Sequence, residues 1–203
     1  MYVLIWGSSI VRDIAQFCRS NHGKLSHNLD LEWSGISIFW RYKPGALLGH
    51  AKAQLLGQQG LVQWKRPNVI ILQVGSNDLC KAQNEEEAQE IAFNLVELVN
   101  DLIKHSSVKC VVISAILPRT VRTWHMMVPL EQFNSHVHFV NELLQGLYTN
   151  NPKVKFWTHR ELETFEQAQG LLRDGVHPNH LGCTYLARDY RGAILYVQKW
   201  MGA

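Results

Sequence analysis

What most constrains this chain is an alternation. Short apolar runs, ended by Gly, Pro or polar residues, take turns with longer stretches whose apolar residues recur every three to four positions. Tyr2 to Trp6, Ile36 to Arg41, Asn68 to Val74, Lys109 to Leu117 and Val154 to Trp157 read as strands. Between the first two, Ile10, Val11, Ile14, Ala15 and Cys18 keep helical spacing up to a polar stop at Asn21-His22-Gly23. Ala46 to Leu56 reads as a helix after the breaker Lys43-Pro44-Gly45. Asn84 is an N-cap candidate. Glu85, Glu86 and Glu87 follow it at the positive end of the helix dipole, and Ala88 to Ile103 keep one apolar face. Pro129-Leu130 opens a further helix to Tyr148, and Leu181 to Val197 form the last. Residues 24–33 read as loop, and 160–178 as irregular with a single helical turn.

Strands that alternate with helices predict a mostly parallel sheet covered on both faces, a three-layer α/β/α architecture with five strands. With 203 residues and no linker or repeat, one domain over 1–203 is expected. A chain of this length buries about 70% of its unfolded surface without a metal or disulfide staple. The longest apolar runs reach about eight residues, against the ~20 that span a bilayer. Met1 leads straight into Tyr2-Val3-Leu4-Ile5-Trp6, without the marks of a signal peptide.

Charge excludes little but weights the choice. The net charge of +3 is spread along the chain with no Lys/Arg block, which argues against nucleic acid as a partner of this domain. Cys18, Cys80, Cys110 and Cys183 form no C-x-x-C pair, so reduced cysteines are expected. His136 and His138 are two apart on a predicted helix and face apart, and no His, Cys, Asp and Glu gather at metal spacing; no metal or cofactor is expected. Neither G-x-G-x-x-G, nor a P-loop, nor G-x-S-x-G occurs.

Ligands of open α/β sheets gather at the carboxyl ends of the strands. Three short motifs stand there. Gly7-Ser8-Ser9 follows the first strand and puts a hydroxyl beside the N–H groups that open a helix, although it is equally an ordinary capping turn. Gly75-Ser76-Asn77-Asp78 follows the third, and an Asn amide there can donate to an oxyanion, although a plain turn reads the same way. Asp174-Gly175-Val176-His177-Pro178 lies on a loop before the last helix, where a carboxylate three residues from His can hold imidazole Nδ1 and leave Nε2 as a base.

Taken in order with Gly45, these blocks resemble the four motif blocks of the SGNH hydrolases, also called GDSL esterases, over nearly the whole chain. The resemblance implies a flavodoxin-like fold and a serine esterase acting on a small acyl ester, lipids included. It makes Ser9 the nucleophile, His177 the base and Asp174 its orienting acid. The backbone N–H groups of Ser9 and Gly45 and the amide of Asn77 would form the oxyanion hole. Two departures stand out. Ser8 occupies the place where the family usually has Asp, which leaves open a silent fold used to bind lipid, carbohydrate or nucleic acid. Gly35 and Gly45 both qualify for the second block; Gly45 is preferred because it closes a strand, whereas Gly35 opens one.

A narrower resemblance rests on Trp6-Gly7-Ser8-Ser9-Ile10-Val11-Arg12 and Ile116-Leu117-Pro118-Arg119. These stretches are similar to the esterase domains in the first open-reading-frame proteins of vertebrate LINE-type retrotransposons, which implies an intracellular, cytoplasmic setting. Arg119 to Pro129 is the largest insertion at the strand ends. Trp124, Met126 and Met127 in it are candidates to line a pocket or merely to cover the helix below. Arg119 and Arg122 are candidates to meet an anionic substrate, against the plainer reading of solvated arginines.

Overall fold

The structure is a computed structural model that describes residues 1–20 and 25–202. The expected helix stop at Asn21-His22-Gly23 lies outside the described residues. Five strands, β1 (Tyr2–Gly7), β2 (Ser37–Tyr42), β3 (Val69–Gln73), β4 (Cys110–Ser114) and β5 (Val154–Trp157), pair in parallel in the order β2-β1-β3-β4-β5. The helices are α1 (Ser9–Ser20), α2 (Leu48–Leu56), α3 (Leu61–Lys65), α4 (Ser76–Leu79), α5 (Glu85–Ile103), α6 (Leu130–Tyr148), α7 (Phe165–Gln169) and α8 (His180–Met201).

Period-two strand geometry divides the core between two faces. Leu4, Trp6, Ile70, Leu72, Val111 and Ile113 face α2, α5 and α6. Val3, Ile5, Val69, Ile71, Cys110 and Val112 face α1 and α8. Neighbours such as Leu4 and Ile5 are therefore both buried, which is why the inner strands read as continuous apolar runs. The edge strand β2 alternates instead, with Ile38 and Trp40 buried between exposed Ser37 and Arg41.

The expected elements are present with shifted ends. The Ala46–Leu56 helix begins at Leu48, and the Lys109–Leu117 strand is paired only over Cys110–Ser114. Asn84 caps α5 by accepting from Glu87 N at 2.8 Å, worth about 1 kcal/mol. Two short helices were not expected. α3 has only Leu61 and Val62 buried, and α4 falls on the motif read as a turn. All four cysteines are free and buried. No helix among the described residues is long and apolar enough to cross a membrane.

The strand order reverses direction between β1 and β3: one connection from β1 leads outward to β2, and the next returns to β3. Loops diverge at such a switch point and leave a crevice above the carboxyl ends of the strands.

Candidate active site

That crevice is a cleft of about 510 Å³ whose walls include Ser9, Gly45, Asn77, Arg119 and His177. Ser9 is the first residue of α1, so its N–H has no acceptor within the helix and faces the start of the dipole. Its Oγ lies 2.9 Å from His177 Nε2, across 168 positions of sequence. The His177 Nδ1 lies 2.7 Å from Asp174 Oδ2.

The Asp174–His177 loop is self-supporting. Asp174 Oδ1 accepts from Val176 N at 3.0 Å and from His177 N at 2.7 Å, closing a tight turn. Gly175 makes that turn possible. Its φ is 80°, and a Cβ there would lie 2.5 Å from the Val121 side chain. Partial burial pushes the Asp174 carboxyl up, but the hydrogen bonds from the His177 backbone and ring and from Val176 N outweigh it and hold the pKa at about 2. An ionised Asp174 keeps the proton on Nδ1 and leaves Nε2 to accept from Ser9.

Asn77 reaches the cleft from α4. Its Nδ2 donates to Ala46 O at 3.0 Å, which joins it to the segment that carries Gly45. Asp78 strengthens the same joint: its two carboxylate oxygens accept from Leu48 N at 3.1 and 3.3 Å. Burial raises the Asp78 pKa, opposed by those bonds from Leu48. Gly45 lines the cleft with a φ of 69°. Gly35 closes a 3₁₀ turn just before β2, at the opposite end of the sheet. Ser8, in place of the family's Asp, is buried, and its carbonyl accepts from Arg12 N at 3.3 Å.

The insertion after β4 is only partly as expected. Trp124 lines the cleft and is 96% exposed, Met126 is buried in the core, and Met127 lies outside the cleft walls. Arg119 is not a solvated arginine: it is 2% exposed and lines the cleft beside Asn77. Two asparagines of α6 hold its backbone segment. Asn141 exchanges two 2.9 Å bonds with the Ile116 backbone, and Asn134 exchanges two with that of Arg119. His136 is buried, while His138 is exposed and lies 3.3 Å from Glu142.

A second Ser–His–Asp set lies under the sheet ends. Ser114 Oγ is 2.7 Å from His159 Nε2, and His159 Nδ1 is 2.9 Å from Asp189 Oδ2. Ser114 also bonds Gln73, which accepts from Tyr190 OH at 3.1 Å. Ser114 and His159 are each 1% exposed, so no ester reaches this hydroxyl. The set satisfies buried polar groups where β3, β4 and α8 meet.

An α/β/α sheet with Ser9, His177 and Asp174 in a hydrogen-bonded chain beside a cleft at its switch point has the geometry that activates a hydroxyl in one class of hydrolases. The match to a family model settles which: residues 4–189 match the GDSL-like lipase/acylhydrolase model, and the chain belongs to that family of SGNH-type carboxylic ester hydrolases. Solved structures share its fold at low identity. A GDSL-like lipase from Bacteroides thetaiotaomicron VPI-5482 is 16% identical, with 97% of this chain and 88% of that one covered and a TM-score of 0.74. An acetyl xylan esterase is 17% identical, with 96% and 100% covered and a TM-score of 0.67. A lipase from a goat rumen metagenome is 15% identical, with 95% and 97% covered and a TM-score of 0.67. No curated protein sequence matches the chain.

Proposed function

We propose that this protein, as one domain over 1–203, hydrolyses short-chain acyl esters such as acetates with Ser9 as nucleophile, His177 as base and Asp174 as the acid that orients it. The observation that carries the reading is the relay itself, 2.9 Å from Ser9 Oγ to His177 Nε2 and 2.7 Å from His177 Nδ1 to Asp174, opening on a cleft. His177 takes the Ser9 proton as Oγ attacks the ester carbonyl. The oxyanion is held by the Asn77 amide and the backbone N–H groups of Ser9 and Gly45. His177 then protonates the leaving alcohol, and water repeats the sequence to free the acid. No step needs a cofactor.

Two observations support a short acyl group. The cleft is confined to about 510 Å³, with Pro44, Leu47, Trp124 and Val176 as its chief apolar walls. An acetyl xylan esterase is among the proteins that share the fold. A lipid with a short acyl chain fits the same description. Ser8 in place of Asp does not favour a silent binding module, because Ser9 remains within hydrogen-bond reach of His177. The narrower likeness to LINE-type retrotransposon esterase domains extends the proposal: the two stretches that carry it end at Arg12 and Arg119, both in the cleft wall, and it implies a cytoplasmic setting.

Turnover of 4-nitrophenyl esters from acetate to decanoate, by the wild type and by Ser9→Ala, tests the proposal. The expected result is the highest kcat/KM at two to four carbons and none in Ser9→Ala. Equal turnover in Ser9→Ala, or a rise toward decanoate, counts against it.

A further inference from the structure

Arg119 is a buried cation with no anion in contact with it; the Asp174 carboxylate acts on it only through space. It forms no ion pair among the described residues, and the nearby Cys80 thiol is no substitute, since burial pushes its pKa up and keeps it neutral. Burial also lowers the pKa of Arg119 itself. Its Nη hydrogens meet neutral acceptors only. Nη1 reaches Thr123 Oγ1 at 3.0 Å and His125 Nε2 at 3.2 Å; Nη2 reaches Ser76 Oγ at 3.2 Å and Asn77 Oδ1 at 3.4 Å. The guanidinium carbon sits 4.8 Å from the centre of the Phe133 ring, and Nε has no partner. Holding a guanidinium this way forfeits much of its hydration. A negative charge formed nearby would offset that loss.

The neighbour through which it acts is Asn77. The Asn77 carboxamide has one oxygen and two amide hydrogens. The oxygen faces Arg119 Nη2, and one hydrogen is donated to Ala46 O. Turning the amide over would set NH₂ against the guanidinium and Oδ1 against the Ala46 carbonyl, so both partners select the same orientation. One amide hydrogen is left over, on a residue in the cleft wall.

We infer that Arg119 is a positioning residue for the oxyanion: it fixes and polarises the Asn77 carboxamide that donates to it. The inference rests on the esterase reading of Ser9, His177 and Asp174. A bond accepted at Oδ1 strengthens the donor at Nδ2, because linked hydrogen bonds polarise one another. The effect belongs to the transition state, where the carbonyl oxygen becomes negative. Direct anchoring of an anionic substrate is less well supported, since the Nη hydrogens already have protein acceptors.

The test is a double-mutant cycle with Arg119→Met, Asn77→Ala and the pair, joined by Arg119→Lys, on proteins with native circular dichroism. Arg119→Met should lower kcat by about 10- to 100-fold, less than loss of the Asn77 donor, with KM changed less than about 3-fold. Arg119→Lys should recover part of the loss, and the double variant should be no slower than Asn77→Ala. Should Arg119→Met not fold, Arg119→Lys with and without Asn77→Ala completes the cycle. Additive losses, or a raised KM at unchanged kcat, would overturn the inference. A second readout is independent of turnover: the Asn77 side-chain amide resonances should shift or broaden in the Arg119 variants, and unchanged resonances would overturn it. Absence of Ser9-dependent turnover in the wild type would instead count against the esterase reading.

Discussion

Asp13 Oδ2 accepts from Arg173 Nη2 at 2.6 Å, and this ion pair ties the helix that begins with Ser9 to the loop that carries Asp174 and His177. Asp13 is buried, and its other oxygen accepts from Arg12 Nε at 2.8 Å. Arg173 grips the loop from the other side, its backbone N donating to His177 O at 2.9 Å. The two halves of the proposed relay are thus joined twice, once by their own hydrogen bond and once by this pair.

Asp13→Ala should therefore weaken both fold and catalysis. Loss of hydrogen bonds to charged groups costs about 1.5–3 kcal/mol, toward the low end here because Arg173 is half exposed. That corresponds to roughly 5 °C in Tm for a domain of this size. A falling Tm together with a falling kcat is expected from thermal melts and ester kinetics. An unchanged kcat in the folded variant would show that the loop holds His177 in place without Asp13.

The relay should behave as a unit. Ser9→Ala and His177→Ala should each lower kcat by about 10⁴-fold or more, and the double variant should be hardly worse than either. Independent, multiplying losses in steady-state kinetics would mean that the two side chains do not act together.

Gly35 and Gly45 offer a matched comparison. Their φ values are 67° and 69°, and a Cβ at either meets nothing within 4 Å. Alanine should thus strain each by a similar amount, about 1–3 kcal/mol. Only Gly45→Ala should also impair turnover, because only Gly45 borders the cleft. Asn77→Ala should lower kcat by roughly 10²–10³-fold with a smaller change in KM. Activity lost in Gly35→Ala but retained in Gly45→Ala would reverse the assignment of the second block.

Asp174 predicts a pH dependence of stability. Its folded pKa of about 2 lies below the ordinary 3.8. A depressed carboxyl stabilises the fold above its unfolded pKa and loses that contribution as pH falls through the folded value. The difference in urea midpoint between wild type and Asp174→Asn should be constant above about pH 4 and shrink between about pH 4 and 2. A difference that shrinks near neutral pH instead would assign the effect to another group.

What the sequence conveyed follows from where each signal was stored. Val3 to Trp6 and Val69 to Leu72 are apolar at every position because both faces of the sheet are covered, and such runs alternating with helices imply parallel strands. Asp174 and His177 were legible because one turn holds them together, and Gly45 could be preferred to Gly35 from strand direction alone. The burial of Arg119 was not legible. It depends on Asn134 and Asn141, which look like surface residues of α6 until their amides are seen gripping the preceding loop. The Asp13–Arg173 pair spans 160 positions and leaves no mark in the local pattern of either segment. α4 is too short to carry a period, so the motif that holds Asn77 read as a turn.

The central claim is that Ser9 is the activated nucleophile, and reaction of the folded protein with a fluorophosphonate tests it most directly. The expected result is a single covalent adduct, mapped by peptide mass spectrometry to Ser9, lost in Ser9→Ala and slowed in His177→Ala. An adduct on Ser114 or another residue, or an unlabelled Ser9 in protein that turns over esters, would contradict it.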